Sequence, residues 1–392
     1  MTLSSPALPT PVALEPRSAR IAISAIFFIN GFAFASWVPH IPTVQARLGL
    51  STAVLGLALL GVALGALVAM PLTGMLVARW GSRAVTFASS LLFCPLVALP
   101  VQAPSLPLLG VALVSFGAAN GAMDVAMNAH AVAVERQLGK TVMSSFHALF
   151  SLGGLMGAGS SILLLSWGLT PAAHMMGAAL LGLGVVLGAS RFLLPASADE
   201  GGSAHSFALP RGPLLLMGLI TFLVLMVEGA VADWSAVYLR QSLGTEVGLA
   251  GAGYAVFSLA MTAGRLTGDR LVSGFGPEKL LRLGALLACG GLGGALLLHH
   301  PVAALIGFGC VGLGLSNLIP VLFSAAGRTP GVPSGVGIAA VSTTGYGGFL
   351  VGPPLIGLMA GPVGLPASLG ILVAFLALVA ASGSRVLRGQ AG

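Results

Sequence analysis

The chain has 392 residues, 56% hydrophobic and only 7% charged, with a mean hydropathy of +1.02. Soluble domains carry about a quarter of their residues charged, so this chain cannot cover a water-facing surface, and a soluble enzyme is excluded. The net charge of +7 lies on Lys and Arg residues set between apolar runs, with no aromatic interleaving, which argues against a nucleic-acid partner.

At about 20 apolar residues per bilayer-spanning helix, the length fits twelve spans. Breaking the apolar runs at charges, prolines and polar clusters predicts helices over 20–41, 51–78, 84–103, 106–134, 142–166 and 172–194. A second set follows over 213–239, 248–268, 280–299, 302–326, 334–358 and 365–382. Of the 17 Lys and Arg residues, all but Arg47 and Arg240 then fall on one side. The positive-inside rule places that side, with both termini and the central loop, in the cytoplasm. Arg17, Arg20, an apolar stretch and Ala33-Phe34-Ala35 have the pattern of a cleaved signal peptide. Cleavage would leave an odd span count and scramble the charge separation, so 20–41 is taken as a retained helix. Trp37, Trp80, Trp167 and Trp234 fall near helix ends, where indoles sit at headgroup level. Cys94, Cys289 and Cys310 lie inside apolar runs, as small buried hydrophobes do.

The stretch Pro195 to Pro213 is the one long polar segment, and its Gly, Ser and Pro content predicts a flexible linker. The expected organisation is therefore a disordered cytoplasmic tail (1–16), a six-helix bundle (17–194), a linker (195–212), a second six-helix bundle (213–384) and a tail (385–392). The halves match at an offset of about 195 residues. Met70–Gly81 aligns with Arg265–Gly276, Cys94 with Cys289, Gly153-Gly154 with Gly347-Gly348, and Asn120 with Asn317. Asn30-Gly31 through Trp37 parallels Glu228-Gly229 through Trp234. Many secondary transporters are built of two such halves, with the substrate site near the midplane between them.

The connection Gly74-Met-Leu-Val-Ala-Arg79-Trp-Gly81-Ser-Arg83 resembles the signature loop of the major facilitator superfamily, Gly-x-x-x-Asp-Arg-x-Gly-Arg-Arg. Ala78 stands where the family usually has Asp, and Ser82 where it has a basic residue. The counterpart at 264–279 is fuller, with Asp269 and Arg270. The resemblance implies an all-α polytopic fold of two pseudo-symmetric six-helix bundles. It also implies that Gly74, Arg79, Gly81, Arg83, Asp269 and Arg270 form a latch at the cytoplasmic helix ends. The run Asn120–Gly154 is similar to the YbjJ-like bacterial branch, itself distantly similar to fucose-permease-like sugar–proton symporters.

The acids placed inside spans are Asp124, Glu228 and Asp233. Each costs about 2.5–3.5 kcal/mol at the bilayer centre, so each needs a partner, a wet cavity or a proton. Arg265 maps too near the cytoplasmic end to pair with them. Asn120, Asp124 and Asn128 repeat at i, i+4, i+8, forming one polar stripe that either lines a cavity or bonds a neighbouring helix. His147, with Ser144 and Ser145 nearby, can approach Asn128 if the fourth and fifth helices run antiparallel. It is either a proton relay or a histidine satisfied by a neighbour. Asp124, Glu228, Asp233 and His147 are the candidate proton-coupling groups. Glu228 and Asp233 lie about 140° apart around a helix, with Asp233 and Trp234 toward the periplasmic end. The family's first and seventh helices line the cavity, so the resemblance makes Asn30 and Glu228 ligand contacts. Asn120, Asn128, Trp234, Asn317, Thr344 and Tyr346 complete the candidate substrate-binding set. Gly and Pro residues from Gly345 to Gly357 predict a kinked or hinged eleventh helix, or close packing through Gly348 and Gly352.

The expected function is secondary active transport of a small, sugar-like polar solute across the bacterial inner membrane. It would be proton-coupled, with the protein a monomer in the bilayer and no cofactor or metal. The alternative is a proton-coupled efflux antiporter for amphipathic compounds. Against it, Leu113 precedes Gly117 where drug antiporters of the family carry Arg, and the fifth helix lacks their Gly-Pro step. An intramembrane enzyme is disfavoured, since neither HExxH nor GxSxG occurs.

Overall fold

In the computed structural model, the described residues are 16–50, 52–199, 212–245 and 247–388. The expected tails at 1–15 and 389–392, and most of the expected linker, lie outside them. The described residues are helical and contain no strand. The helices of the first half are α1 (Pro16–Trp37), α2 (Ile41–Leu48), α3 (Thr52–Trp80), α4 (Ser82–Leu96), α5 (Leu106–Leu138), α6 (Met143–Ser166) and α7 (Pro171–Ala189). Those of the second are α8 (Pro213–Val237), α9 (Val247–Phe275), α10 (Pro277–Leu298), α11 (Pro301–Leu315), α12 (Leu318–Ala326), α13 (Ser334–Val363) and α14 (Leu365–Arg388). Proline in the first turn starts α7, α8, α10 and α11, where its missing N–H has no bond to lose. Among the described residues, eleven helices are long and apolar enough to cross a membrane. α9 has the length for a further crossing, 29 residues, and carries Arg265, Asp269 and Arg270 within it.

Two buried cores form. One runs from Ala19 to Leu194, joined by Ile338; the other runs from Leu214 to Ala380. The packing order of the first half recurs in the second. α1 packs on α6 as α8 packs on α13, α3 on α5 as α9 on α11, and α4 on α7 as α10 on α14. The repeat reaches individual atoms. A Cβ at Gly153 or Gly157 would fall on the carbonyl oxygens of Phe28 and Phe32, and one at Gly348 or Gly352 on those of Phe222 and Met226. Small residues thus bring backbones together at the same place in each half.

Two expectations need correction and one is narrowed. The predicted tenth helix is broken: α11 stops at Leu315 and α12 starts at Leu318, with Ser316 and Asn317 at the step. The eleventh, α13, is continuous over Ser334–Val363, and of the two expectations for its glycine run close packing is present: Gly345, Gly348 and Gly352 lie against α8. Trp80 and Trp167 are exposed near helix ends, but Trp37 is only 3% exposed and belongs to the first core.

The halves meet along α3–α13, α6–α9, α5–α13 and α6–α12. At the end of the bundle where the central linker leaves α7, Gly74 of α3 sits against Gly335 and Ala339 of α13, and Gly335 against Val77. Deeper in the seam, Ala66, Met70, Val125 and Ala339 form a buried group with Tyr346 packed on it.

Candidate functional site

The polar stripe on α5 faces inward. Asn128 Nδ2 donates to the Asp124 carbonyl at 2.9 Å and to Asp124 Oδ1 at 3.1 Å. His147 Nε2 lies 3.1 Å from Asn128 Oδ1, so the Asp124–Asn128–His147 chain anticipated from spacing is present. Because the Asn128 oxygen can only accept, His147 Nε2 carries the hydrogen. The His147 ring also meets Phe27 of its own half and Phe323 of the other, both edge-on. Asp124 Oδ2 is buried and has no hydrogen-bond partner. That orphaned oxygen is the feature of the stripe that hydrogen bonding within the protein does not explain.

One turn along the stripe, Asn120 Oδ1 accepts from Asn30 Nδ2 at 3.1 Å, and the same amide reaches Met123 Sδ at 3.3 Å. Asn30 and Asn120 therefore bond to each other across α1 and α5, the seam arrangement. Glu228, half-buried on α8, and Asp124 both lie within electrostatic reach of Tyr346 on α13. One phenol is thus within electrostatic reach of a carboxylate from each half.

Two residues join this group that sequence reasoning missed. Arg265, 8% exposed, faces inward: Nη1 donates to Ser151 Oγ of α6 at 2.6 Å and Nε to the Ser316 carbonyl at 3.3 Å. It is within electrostatic reach of Glu228 and His147. The expectation that it lies at the helix end was wrong because α9 runs to Phe275, about two turns beyond the predicted boundary. Tyr254 of α9 lies within electrostatic reach of Glu228, Asp233 and Arg265; no motif pointed to it.

Other candidates are placed apart. Asn317 Nδ2 is committed to the Gly264 carbonyl at 3.0 Å and Ser316 Oγ at 2.9 Å, docking the helix break onto α9. Thr344 Oγ1 bonds back to the Ala340 carbonyl at 2.8 Å and packs on Gly218. Asp233 is exposed, and Trp234 packs toward Gly357 of α13.

At the linker end, the latch residues divide. Asp269 Oδ1 accepts from the Ser145 backbone N–H at the start of α6, 3.2 Å away, and so crosses the halves. Gly74 crosses through its packing on α13. Arg79 is exposed and lies over Trp80, 5.8 Å from the ring centroid, and Arg270 is exposed. Arg83 holds the Ser190 carbonyl within the first half, at 3.3 Å.

The position of the absent loop aspartate is compensated from elsewhere. Asp199, at the start of the linker, accepts from Ser82 N at 2.7 Å and Ser82 Oγ at 2.8 Å, capping α4. His130 Nε2 accepts from Leu194 N at 3.1 Å, which leaves its Nδ1–H to donate to Ser82 Oγ at 2.8 Å. Gly81 (φ +81) makes room, since a Cβ there would meet Ala196 and Asp199. Burial pushes the Asp199 carboxyl up from its ordinary range, while the Ser82 bonds and Arg136 pull it back down.

A further acid closes the same end. Glu135, 1% exposed, lies inside α5, which continues four residues past the predicted 134 to Leu138. Its Oε2 accepts from the N–H groups of Val142 and Met143 at 2.8 and 3.0 Å. Its Oε1 pairs with Ser324 and Arg328 of the second half. Arg136 Nη2 donates to the Gly327 carbonyl at 2.6 Å, and Thr141 Oγ1 meets Ser273 Oγ at 2.8 Å. Between these ties lies a cavity of about 270 Å³ whose lining includes Glu135, Ser144, Asp269 and Arg328.

Two helical halves, tied together at one end and sharing charged groups at their junction, define a membrane carrier. The sequence pattern of the Major Facilitator Superfamily matches residues 23–336, and the chain belongs to that family: it is a transporter, not an enzyme. It is 42% identical to an uncharacterized MFS-type transporter of Yersinia pestis, over 95% of this chain and 96% of that one. It is 37% identical to the membrane protein MosC of Rhizobium meliloti, covering 92% and 88%. The fold superposes on the Escherichia coli fucose:proton symporter FucP with a TM-score of 0.78 at 17% identity, over 96% of this chain and 99% of that one. It also superposes on the proton:xylose symporter XylE with a TM-score of 0.68 at 13% identity, covering 94% and 95%.

Proposed function

We infer that the chain carries a small, sugar-like polar solute across the bacterial inner membrane together with a proton, by alternating access between two six-helix bundles (17–194 and 213–384). The observation that carries this reading is the buried, unpartnered Asp124 Oδ2 at the end of the Asp124–Asn128–His147 chain, with Glu228 of the other half sharing electrostatic reach of Tyr346. A carboxyl in a membrane interior is stable when it can take up a proton, and Asp124 Oδ2 has no hydrogen bond to forgo when it does. The Asn128 amide orients the other oxygen, and His147 extends the chain toward the linker end. Glu228, Tyr254, Tyr346 and Arg265 supply the acceptors and donors that a hydroxylated solute uses. The structural likeness to proton symporters for fucose and xylose supports the same class of cargo. The basic residues concentrated at the linker end support its assignment to the cytoplasmic face, which makes this an arrangement with the inner gate closed. The protein acts as a monomer, each chain holding a complete junction.

The test is proton movement in proteoliposomes containing the purified chain, on addition of hexoses, deoxyhexoses and pentoses. Symport requires alkalinisation of the outer medium as solute enters. Asp124→Asn and Glu228→Gln are expected to abolish that signal while leaving a monodisperse protein. Proton movement of opposite direction identifies an antiporter, and unimpaired coupling in both variants removes these acids from the mechanism.

A further inference from the structure

Arg265 has a placement that carriage of a proton and a solute does not by itself explain. It is a guanidinium inside the membrane, on the second half, whose shortest hydrogen bond goes to the first half: Nη1 to Ser151 Oγ at 2.6 Å. Its Nε holds the Ser316 carbonyl, at the step between α11 and α12. Glu228 is within electrostatic reach, yet the hydrogen bonds go to Ser151 and Ser316. The corresponding residue of the first half is Met70, buried in the apolar group at the α3–α13 contact. The tie therefore exists in one half alone.

We propose that Arg265 is a positioning residue that prevents proton slip: while Glu228 is neutral the guanidinium stays on Ser151 and holds α6 to α9, so a carrier loaded with a proton but no solute does not open at the linker end. Ionised Glu228 draws the guanidinium toward α8 and loosens the tie, which lets the empty, unloaded carrier return. A solute hydroxyl or carbonyl accepting from the guanidinium does the same for the fully loaded carrier. The inference rests on the proton-coupled reading above for the role of Glu228, but the Ser151–Arg265 tie does not.

The charged and titratable groups around Arg265 are few. α6 presents His147, and α8 presents Glu228 with Asp233 further along. On α9 itself Tyr254 lies about three turns away, and Asp269 lies about one turn toward the linker end, bound to Ser145. The α11–α12 step contributes Ser316 and Asn317, and Cys310 stands further up α11. Glu278, Lys279 and Arg282 lie in the first two turns of α10. Among these acids Glu228 is the one within electrostatic reach of Arg265, so its ionisation is the one the proposal sets against Ser151.

Two measurements test this on the full chain, without a solute. In the first, nitroxide labels at Lys140 and Lys279, both exposed at the linker end, are introduced after replacing Cys94, Cys289 and Cys310. Pulsed electron spin resonance then reads their separation in lipid nanodiscs. Ser151→Ala and Arg265→Gln are expected to shift the distribution toward longer separations, and Arg265→Lys, which keeps a donor, to shift it less. In the second, liposomes with trapped pyranine and an imposed pH gradient report proton leak. Ser151→Ala is expected to leak at least threefold faster than the unaltered chain, and adding Glu228→Gln is expected to remove the excess. Separations in Ser151→Ala and Arg265→Gln that match the unaltered chain overturn the tie. An unchanged leak in Ser151→Ala overturns the slip guard even where the solute assay shows proton coupling. Failure of the solute assay with a shifted separation refutes the coupling reading and leaves the tie standing.

Discussion

Ser82 departs from the family's loop pattern, and its surroundings show what the departure accomplishes. A basic side chain at that position would sit where His130 Nδ1–H, the Asp199 carboxylate and the start of α4 converge. A hydroxyl satisfies all of them, accepting from the imidazole and donating to the carboxylate. Asp199 in turn takes the Ser82 N–H, one of the donors a helix N-terminus leaves open, and so performs the capping task from a different point in the chain. Removing such a cap costs about 1 kcal/mol. Asp199→Ala and Ser82→Ala should therefore each lower the melting temperature measurably in detergent. Both open the same network, so their effects should fall short of additivity in the double variant. Additive losses would mean that the two residues act separately. Ala78 and Ser82 announced in the sequence that the usual loop was incomplete. The replacement lay over a hundred positions downstream, in a segment that reads as linker, and nothing in its spacing points back to α4.

At the scale of helices, the pattern of charges was a good guide to how many spans exist and a poor one to where they end. Ending helices at charges cut α5 at 134 and α9 at 268, which left Glu135 outside its span and Arg265 close to the end of its own. Both helices continue because those charges have partners: Glu135 takes two N–H groups and Arg328, and Arg265 takes Ser151 and Ser316. Paired charges are tolerated where lone ones are not. The stripe Asn120, Asp124, Asn128 was legible because its spacing is local, whereas Arg265 and Tyr254 gain meaning only from helices far away in sequence. Glycine pattern alone did not separate hinge from packing in α13. The carbonyl oxygens of Phe222 and Met226 show close packing there, and its cost is checkable. Gly348→Ala places a methyl on the Phe222 carbonyl oxygen and should cost about 1–3 kcal/mol, read as a clear loss of thermal stability. Gly347→Ala, whose Cβ would stand 3.4 Å from the Phe222 ring, should be close to neutral. Equal effects would show that α8 and α13 tolerate separation there.

For the whole molecule, the linker-end closure rests on Glu135 more than on any other side chain, since it joins α5, the start of α6 and Arg328 of the second half. Taking away one member of an ion pair is most costly where the other is left buried and unpaired. Arg328 is 41% exposed and is solvated when its partner is neutralised, so the loss in the Glu135 variant is the cross-half ion pair and the charge on the Val142 and Met143 N–H bonds. Glu135→Gln should release Arg328 and shift the carrier toward an open linker end. A shift of about 1.4 kcal/mol is tenfold in population. It would be measured as faster labelling of a cysteine at Thr141, opposite Ser273, by a membrane-impermeant maleimide. Labelling at the unaltered rate would show that closure is carried by the Asp269 and Gly74 contacts instead.

Part of the tie between the halves, and of what supports it, is made by the peptide chain. Across the junction Asp269 holds the Ser145 amide and Arg136 the Gly327 carbonyl; within their own halves Glu135 and Arg265, whose side chains also reach across, hold the amides of Val142 and Met143 and the carbonyl of Ser316. Any amino acid other than proline supplies both groups. Positions 142, 143, 145, 316 and 327 can therefore change identity over generations while the grip on them persists, and comparing relatives by side chain would register only one hand of each clasp.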